Sequence, residues 1–328
     1  MAAAEMLFGV KTLPVAVLAV APHAEPEKLS IIDAHGHLNG DVLAETLIAL
    51  MDRAGVSRMV LMARYYGARA GGLGSDEQAL AYATKYPGRF IPFVAGQRPV
   101  LVSRMRWLSP DRQAEDLLRN AEAKLRSGEF YGLGEFIMLH YAYTTRHGET
   151  GGEQDVNVPV DSPLMRRFAD LATAYRVPLL IHLEAEPDAV AQMARLLEYA
   201  SSTKVIWAHN CGRASANQIK TLLARYPNLL CDLGGMMATP DSGYGHYWPR
   251  RTPWMHLIED GSGQLYPDMK ALYEAYPDRF LIGTDAAHTP ALADYERRIH
   301  RFRQILSNLQ PETTQRLAFK NAEELFRR

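Results

Sequence analysis

Cysteine is almost missing from this chain: only Cys211 and Cys231 occur in 328 residues, too few for a disulfide framework. Both are expected as buried thiols near the ends of the sixth and seventh apolar runs. No run of about 18 or more apolar residues is present, so no segment reads as a transmembrane helix and no membrane partner is expected. Charge of one sign is missing too. The 36 Lys and Arg residues are balanced by 37 Asp and Glu residues, for a formal net charge of -1, without any block of like charge. That excludes, on composition, the strongly basic class that binds nucleic acid through its phosphates. Short-period repeats and low-complexity tracts are also lacking, which sets aside solenoids and disordered chains. With 47% hydrophobic residues there is ample material for one core, and a soluble globular protein is expected.

The N-terminus departs from this pattern. Residues 12–22, Thr-Leu-Pro-Val-Ala-Val-Leu-Ala-Val-Ala-Pro, form a short apolar tract after Lys11 and before the polar stretch His23–Lys28. Two readings fit: an export signal within residues 1–24, which would send the protein to the periplasm or outside the cell, or an arm packed on the bottom of the fold. Pro14, Pro22 and a weakly charged leader weigh against the signal, so a cytoplasmic protein is favoured. Residues 1–29 are accordingly set apart as an N-terminal extension and 30–328 as a single domain.

What the chain does have is alternation. Short β-branched and apolar runs mark eight strands near residues 30–35, 56–63, 89–95, 131–137, 177–183, 204–209, 228–233 and 279–284. Amphipathic helical stretches lie between them. The first spans Asp41–Met51, with an acidic first turn and Gly55 placed to stop it; others follow near 75–86, 111–127, 162–176, 187–200, 213–226 and 268–277, with a final pair across 291–308 and 311–326. Strands alternating with helices are parallel, and parallel strands that read as near-continuous apolar runs are covered on both faces. Eight such units predict a (β/α)8 TIM barrel, which commonly takes about 250 residues and carries its catalytic groups at the C-terminal strand ends.

Those ends are where the chemistry lies. The first run closes on Ile31-Ile32-Asp33-Ala34-His35-Gly36-His37, and on a strand His35 and His37 share a face and can grip one metal ion. Glu135, His182, His209 and Asp285 each stand at or near the end of another run. A divalent ion held by neutral imidazoles and carboxylate lowers the pKa of bound water to about 7 and polarises a carbonyl oxygen. Asp285 can then bind weakly and move the proton of that water, although an aspartate after a strand also caps helices. Zinc best suits such a ligand set, with manganese, cobalt or iron able to replace it.

The phrases Ile32-Asp33-Ala34-His35-Gly36-His37, Gly132-Leu133-Gly134-Glu135, Trp207-Ala208-His209-Asn210-Cys211-Gly212 and Gly283-Thr284-Asp285 resemble the amidohydrolase superfamily, and within it the amidohydrolase 2 branch of lactonases, decarboxylases and related hydrolases. The resemblance spans about residues 30 to 326. It implies a metal-dependent barrel enzyme in which Asp285 is the acid/base. It also implies that His35, His37 and Asp285 serve one ion and His182 and His209 another, with Glu135 between them, so two ions are favoured over one. Mononuclear decarboxylase relatives lack a bridging residue after strand four.

Selectivity is expected in the long connections after strands four and seven. The first holds His140. The second holds His246, Trp248, Arg250 and Arg251, an aromatic and basic mixture suited to a ring plus a carboxylate, or alternatively to packing its own loop. Glu184 either orients a ligand histidine, contacts substrate or lies on the surface, and Arg213 either reaches the mouth or lies on a helix surface. Trp207 reads as packing. The expected activity is hydrolysis at a carbonyl, of a lactone, carboxylic ester or amide. Non-oxidative decarboxylation of an aromatic or unsaturated acid is the alternative, a metal-dependent deoxyribonuclease ranks third, and an inactive metal- or ligand-binding barrel is the non-enzymatic reading. A small-molecule substrate, without nucleic acid, and a homo-oligomeric state complete the expectations.

Overall fold

A computed structural model describes residues 29–65, 74–141, 143–144, 150–151, 155–236, 256–286 and 292–327. The apolar tract 12–22 and the loop residues His246, Trp248, Arg250 and Arg251 lie outside the described residues. Eight parallel strands follow one another in the expected order: β1 (Ile31–Leu38), β2 (Val56–Ala63), β3 (Phe90–Pro92), β4 (Leu133–His140), β5 (Leu179–Leu183), β6 (Val205–Trp207), β7 (Leu229–Asp232) and β8 (Phe280–Leu281). Helices α1 (Ala44–Ala54), α2 (Asp76–Lys85), α3 (Arg112–Arg126), α4 (Pro163–Tyr175), α5 (Pro187–Tyr199), α6 (Ala216–Arg225), α7 (Pro267–Ala275) and α8 (Tyr295–Leu306) connect or follow them. Regular ladders join β1 through β3 and β4 through β8 as two sheets. Parallel bridges Val94↔Leu133 and Gly36↔Ala286 join the sheets to each other, so the ring of strands closes. Among the described residues, no helix is long and apolar enough to cross a membrane.

Strand side chains sort into two apolar layers, as the period of two requires. Ile32, Ala34, Val60, Met62, Ile91, Phe93, Leu180, Ile206, Leu230 and Leu281 fill the barrel, and Ala322 and Phe326 of the last helical segment belong to the same cluster. Ile31, Met59, Leu61, Leu133, Phe136, Leu179, Ile181 and Leu183 join the larger cluster shared with the helices. Local signals set the helix ends. Gly55 stops α1 in a left-handed conformation, φ 69°, as expected, although α1 begins at Ala44 rather than Asp41. Asp111 caps α3, and Ser215 with Gln218 forms a capping box on α6.

The two cysteines differ from expectation: Cys211 and Cys231 form a disulfide. β6 and β7 are ladder neighbours, with Cys231 opposite Trp207, and the turn after β6 carries Cys211 back to a Cα separation of 5.0 Å from Cys231. That falls inside the range a disulfide spans without backbone movement. A count of cysteines could exclude a framework of several bridges, but one bridge needs only one pair brought together by the fold.

Candidate active site

Two β-bulges aim the first ligand candidates. Asp33 pairs with Met59 and Gly36 with Leu61, so β1 takes three steps where β2 takes two. The extra residue changes the alternation, and His35 follows Ala34 onto the barrel's inner side. Gly36 is needed between the histidines, because a Cβ there would lie 2.7 Å from the Val60 carbonyl oxygen. β4 repeats the device: Leu133 pairs with Leu179 and Phe136 with Ile181, again three steps against two, and Glu135 turns inward.

His35 and His37 meet through their Nε2 atoms at 3.1 Å, with Asp285 Oδ1 at 3.6 Å from the first and 3.4 Å from the second. His182 Nδ1 and His209 Nε2 meet at 2.8 Å. Glu135 lies between the two pairs, its Oε2 3.4 Å from His37 and its Oε1 3.3 Å from His182. All six expected residues therefore converge, and the ligand atoms of His35, His37 and Asp285, like those of Glu135, His182 and His209, lie within 4.8 Å of one another. This donor set fits divalent cations. Imidazole nitrogens facing each other at such distances repel unless a proton or a cation lies between them, and among the described residues Glu135 Oε1 is buried without a hydrogen-bond partner.

The far side of most rings is held as well. His35 Nδ1 lies 3.1 Å from Asp232, His209 Nδ1 lies 2.8 Å from the Gly234 carbonyl, and His182 Nε2 lies 3.2 Å from Glu184 Oε1. A ring that donates to these acceptors presents its other nitrogen, with a free lone pair, to the cluster. Three buried contributors escaped the sequence reading. Asp232 ends β7 and read as part of an apolar run. Gln97 donates to Glu135 Oε2 at 2.7 Å from the loop after β3. Asp33 accepts from His35 N, Thr284 N, Thr284 Oγ1 and Tyr295 OH, tying β1 to the segment after β8. Only the end-of-strand position of Asp232 was a usable signal.

His209 does not sit on a strand. β6 ends at Trp207, and His209, Asn210, Cys211, Gly212 and Arg213 all have positive φ, from 51° to 71°. Each non-glycine residue in that conformation costs roughly 1–2 kcal/mol, so the surrounding contacts must hold the turn. Arg213 is neither on a helix surface nor open at the mouth: it is buried and forms an ion pair with the fully buried Glu184. His140, His182 and Glu184 make a third histidine–carboxylate group, but the guanidinium of Arg213 on Glu184 Oε1 already supplies its cation. Trp207 is fully buried and donates to the Leu183 carbonyl at 2.7 Å, a packing role as expected.

Electrostatics follow from this crowding. Burial opposes charge on His182, yet the carboxylates of Glu135 and Glu184 beside it outweigh that cost and raise its pKa to about 9. Burial and the neighbouring His182 push His140 down to about 3. Burial works against ionised Glu184, but Arg213 overcomes it and holds the carboxyl at about 2. Asp285 is held well below the ordinary carboxylate range: burial disfavours its charge, and His37 and His35 more than compensate. Divalent cations compete with protons for these same imidazole lone pairs.

The sequence model of the amidohydrolase family matches residues 32–328. The chain belongs to the amidohydrolase family. It is an enzyme of the amidohydrolase type, in a family that depends on metal. No curated protein matches the chain in sequence. Among solved structures, this amidohydrolase superposes on an uncharacterised TIM-barrel protein from Bordetella bronchiseptica with a TM-score of 0.59 and 14% identity, covering 90% of this chain and 98% of that one. A probable 2-pyrone-4,6-dicarboxylic acid hydrolase from Acinetobacter baumannii, solved with citric acid bound, gives 0.54 and 16%, covering 90% and 98%. A dihydroxybenzoic acid decarboxylase from a Polaromonas species, with bound manganese and an inhibitor, gives 0.50 and 14%, covering 91% and 97%. At these identities the likeness establishes the barrel fold.

Proposed function

We propose that this amidohydrolase cleaves a C–O or C–N bond at a carbonyl carbon, in a lactone, carboxylic ester or amide, with two divalent ions at the cluster. The observation that carries this reading is the placement of Glu135, with one oxygen toward His37 and the other toward His182. A carboxylate so placed would help to hold both cations. His35, His37 and Asp285 would hold one ion, and His182 and His209 the other. Zinc suits the set, and the manganese of the Polaromonas protein marks a second candidate. When bound, such ions acidify a water to a pKa of about 7 and polarise the substrate carbonyl.

The chain's own residues do the rest. Asp285 has 26% of its side chain exposed while His35 and His37 have at most 1%, so the cluster is approached from Asp285. Its carboxylate stays ionised at neutral pH and accepts the proton of the attacking water as that oxygen bonds to the carbonyl carbon. When the C–O or C–N bond breaks, the proton passes from Asp285 to the leaving oxygen or nitrogen. Glu184 and Asp232 keep His182 and His35 in one tautomer. His140, buried and neutral, lies beside His182 where a substrate oxygen could meet it. His246, Trp248, Arg250 and Arg251 are the groups proposed to grip a carboxylate on the substrate, a reading supported by the citric acid in the Acinetobacter structure.

Elemental analysis of protein purified without tag or chelator tests the proposal. About two ions per chain, falling to one in Glu135→Gln, together with turnover of lactones, esters or amides, is the expected result. One ion, unchanged by Glu135→Gln, with carbon dioxide released from aromatic acids, would replace hydrolysis by decarboxylation, the activity named for the Polaromonas neighbour.

A further inference from the structure

One turn controls both histidines of the Glu135, His182 and His209 group. At its start, His209 presents Nε2 to His182. At its end, Arg213 pairs with Glu184, which in turn holds Nε2 of His182. Between them the backbone stays left-handed for five residues, a conformation that no strand ladder or ordinary helix maintains. Gly212 must be glycine, since its φ is +71° and a Cβ would lie 2.3 Å from the Leu183 carbonyl oxygen.

The turn is held by side-chain, backbone and covalent contacts from outside it. Asn210 accepts from Tyr273 OH at 3.2 Å and lies against Met269 Sδ at 3.6 Å; the Gly212 carbonyl accepts from Ala185 N at 3.0 Å, and the Arg213 carbonyl from His256 N at 2.8 Å. Cys211, at its centre, is bonded to Cys231. The two ends of that bond are not equivalent. Cys231 lies within β7, laddered to Trp207 on one side and Phe280 on the other, whereas Cys211 lies in the left-handed turn beyond the end of β6. Cutting the bond would therefore loosen the turn and leave the strand, including neighbouring Asp232 and its contact to His35, in place. The His35, His37 and Asp285 group is tied separately, through Asp33, Thr284 and the Asp285 N to His35 O hydrogen bond of 2.8 Å.

We propose that the Cys211–Cys231 bond is a positioning element for one half of the active site: it pins the left-handed turn that sets His209 directly and His182 through Arg213 and Glu184. Its loss weakens cation binding at that half and spares the other. The selectivity rests on the reading that each half holds one ion.

The test is cobalt(II) titration of the Cys211→Ala/Cys231→Ala double variant beside the native protein, with metal per chain read by elemental analysis. Ring-nitrogen NMR of histidine in the metal-free proteins runs in parallel. The expected result is one ion bound as in the native protein and a second at least tenfold weaker, with shifted His182 and His209 ring signals and an unshifted His35 signal. Two ions bound with native affinity, or equal weakening of both, would overturn the inference. So would unshifted His182 and His209 signals. If the native protein binds a single ion, the two-ion reading fails while the ring signals still decide the role of the cross-link. Should the double variant not fold, a water-soluble phosphine replaces it. The phosphine reduces the native disulfide to two thiols, becoming the phosphine oxide with oxygen from water, and the same two readouts apply.

Discussion

His35 and His37 reach the cluster from a strand laddered to β2 on one side and bridged to Ala286 on the other, whereas His209 reaches it from a left-handed turn held by a disulfide, an asparagine and a buried ion pair. The first arrangement draws on backbone hydrogen bonds that any β-branched or apolar run can make. A bulge then only has to re-aim the side chains. The second draws on particular side chains at particular places, and one altered residue disturbs it. The lesson is that ligands of one cluster can differ widely in how they are held, so the two halves should respond differently to the same kind of damage.

The largest expected effect lies where the halves share an outcome. Asp285→Asn should fold and retain metal while turnover falls by about 10²- to 10⁴-fold, the usual worth of a positioned acid/base. Steady-state kinetics beside metal analysis checks this, and full activity in the variant would remove Asp285 from the proposed mechanism. A smaller effect sharpens the contrast. Asp232→Asn replaces the carboxylate that accepts from His35 Nδ1–H with a weaker amide acceptor, so metal affinity at the His35 and His37 half should fall by about 10- to 100-fold, with the His182 and His209 half unchanged. Competition with a chelator of known affinity measures both halves.

The smallest effect is on stability in acid. Glu184 titrates at about 2 in the folded protein, below its ordinary value of 4.5, chiefly because Arg213 offsets the cost of its burial. The unfolded chain therefore takes up the proton first as pH falls. The Glu184 contribution is complete above about pH 4.5 and is lost progressively toward pH 2. In metal-free protein, urea unfolding across that range should lose stability less steeply for Glu184→Gln than for the native chain. Equal slopes would mean that the buried pair contributes nothing to the acid response of this half.

Legibility tracks the same division. The strand-borne ligands were readable because parallel strands covered on both faces appear as apolar runs, and polar residues at their ends stand out. Asp33 and Asp232 were overlooked because each sits within or closes such a run without a recognisable pattern of its own. Gln97 comes from a loop with no periodicity at all. Arg213, six residues past Trp207, looked like the start of a helix that in fact begins at Ala216, since nothing local signals five left-handed residues in a row. Expecting free thiols at Cys211 and Cys231 was wrong for the same reason: pairing depended on two strand ends lying side by side.

By itself the sequence determined the eight-fold alternation, the barrel that follows from it and the six residues that meet at its mouth, because period, end position and chain order are local quantities. Tertiary structure alone decided which nitrogen of each histidine faces the cluster, which buried carboxylates and amides hold those rings, and that a disulfide closes the turn bearing His209. Apart from Glu184 on His182, those features join residues far apart in the chain, from 20 positions between the two cysteines to 197 between His35 and Asp232. Only the closed ring of strands brings such pairs within bonding range.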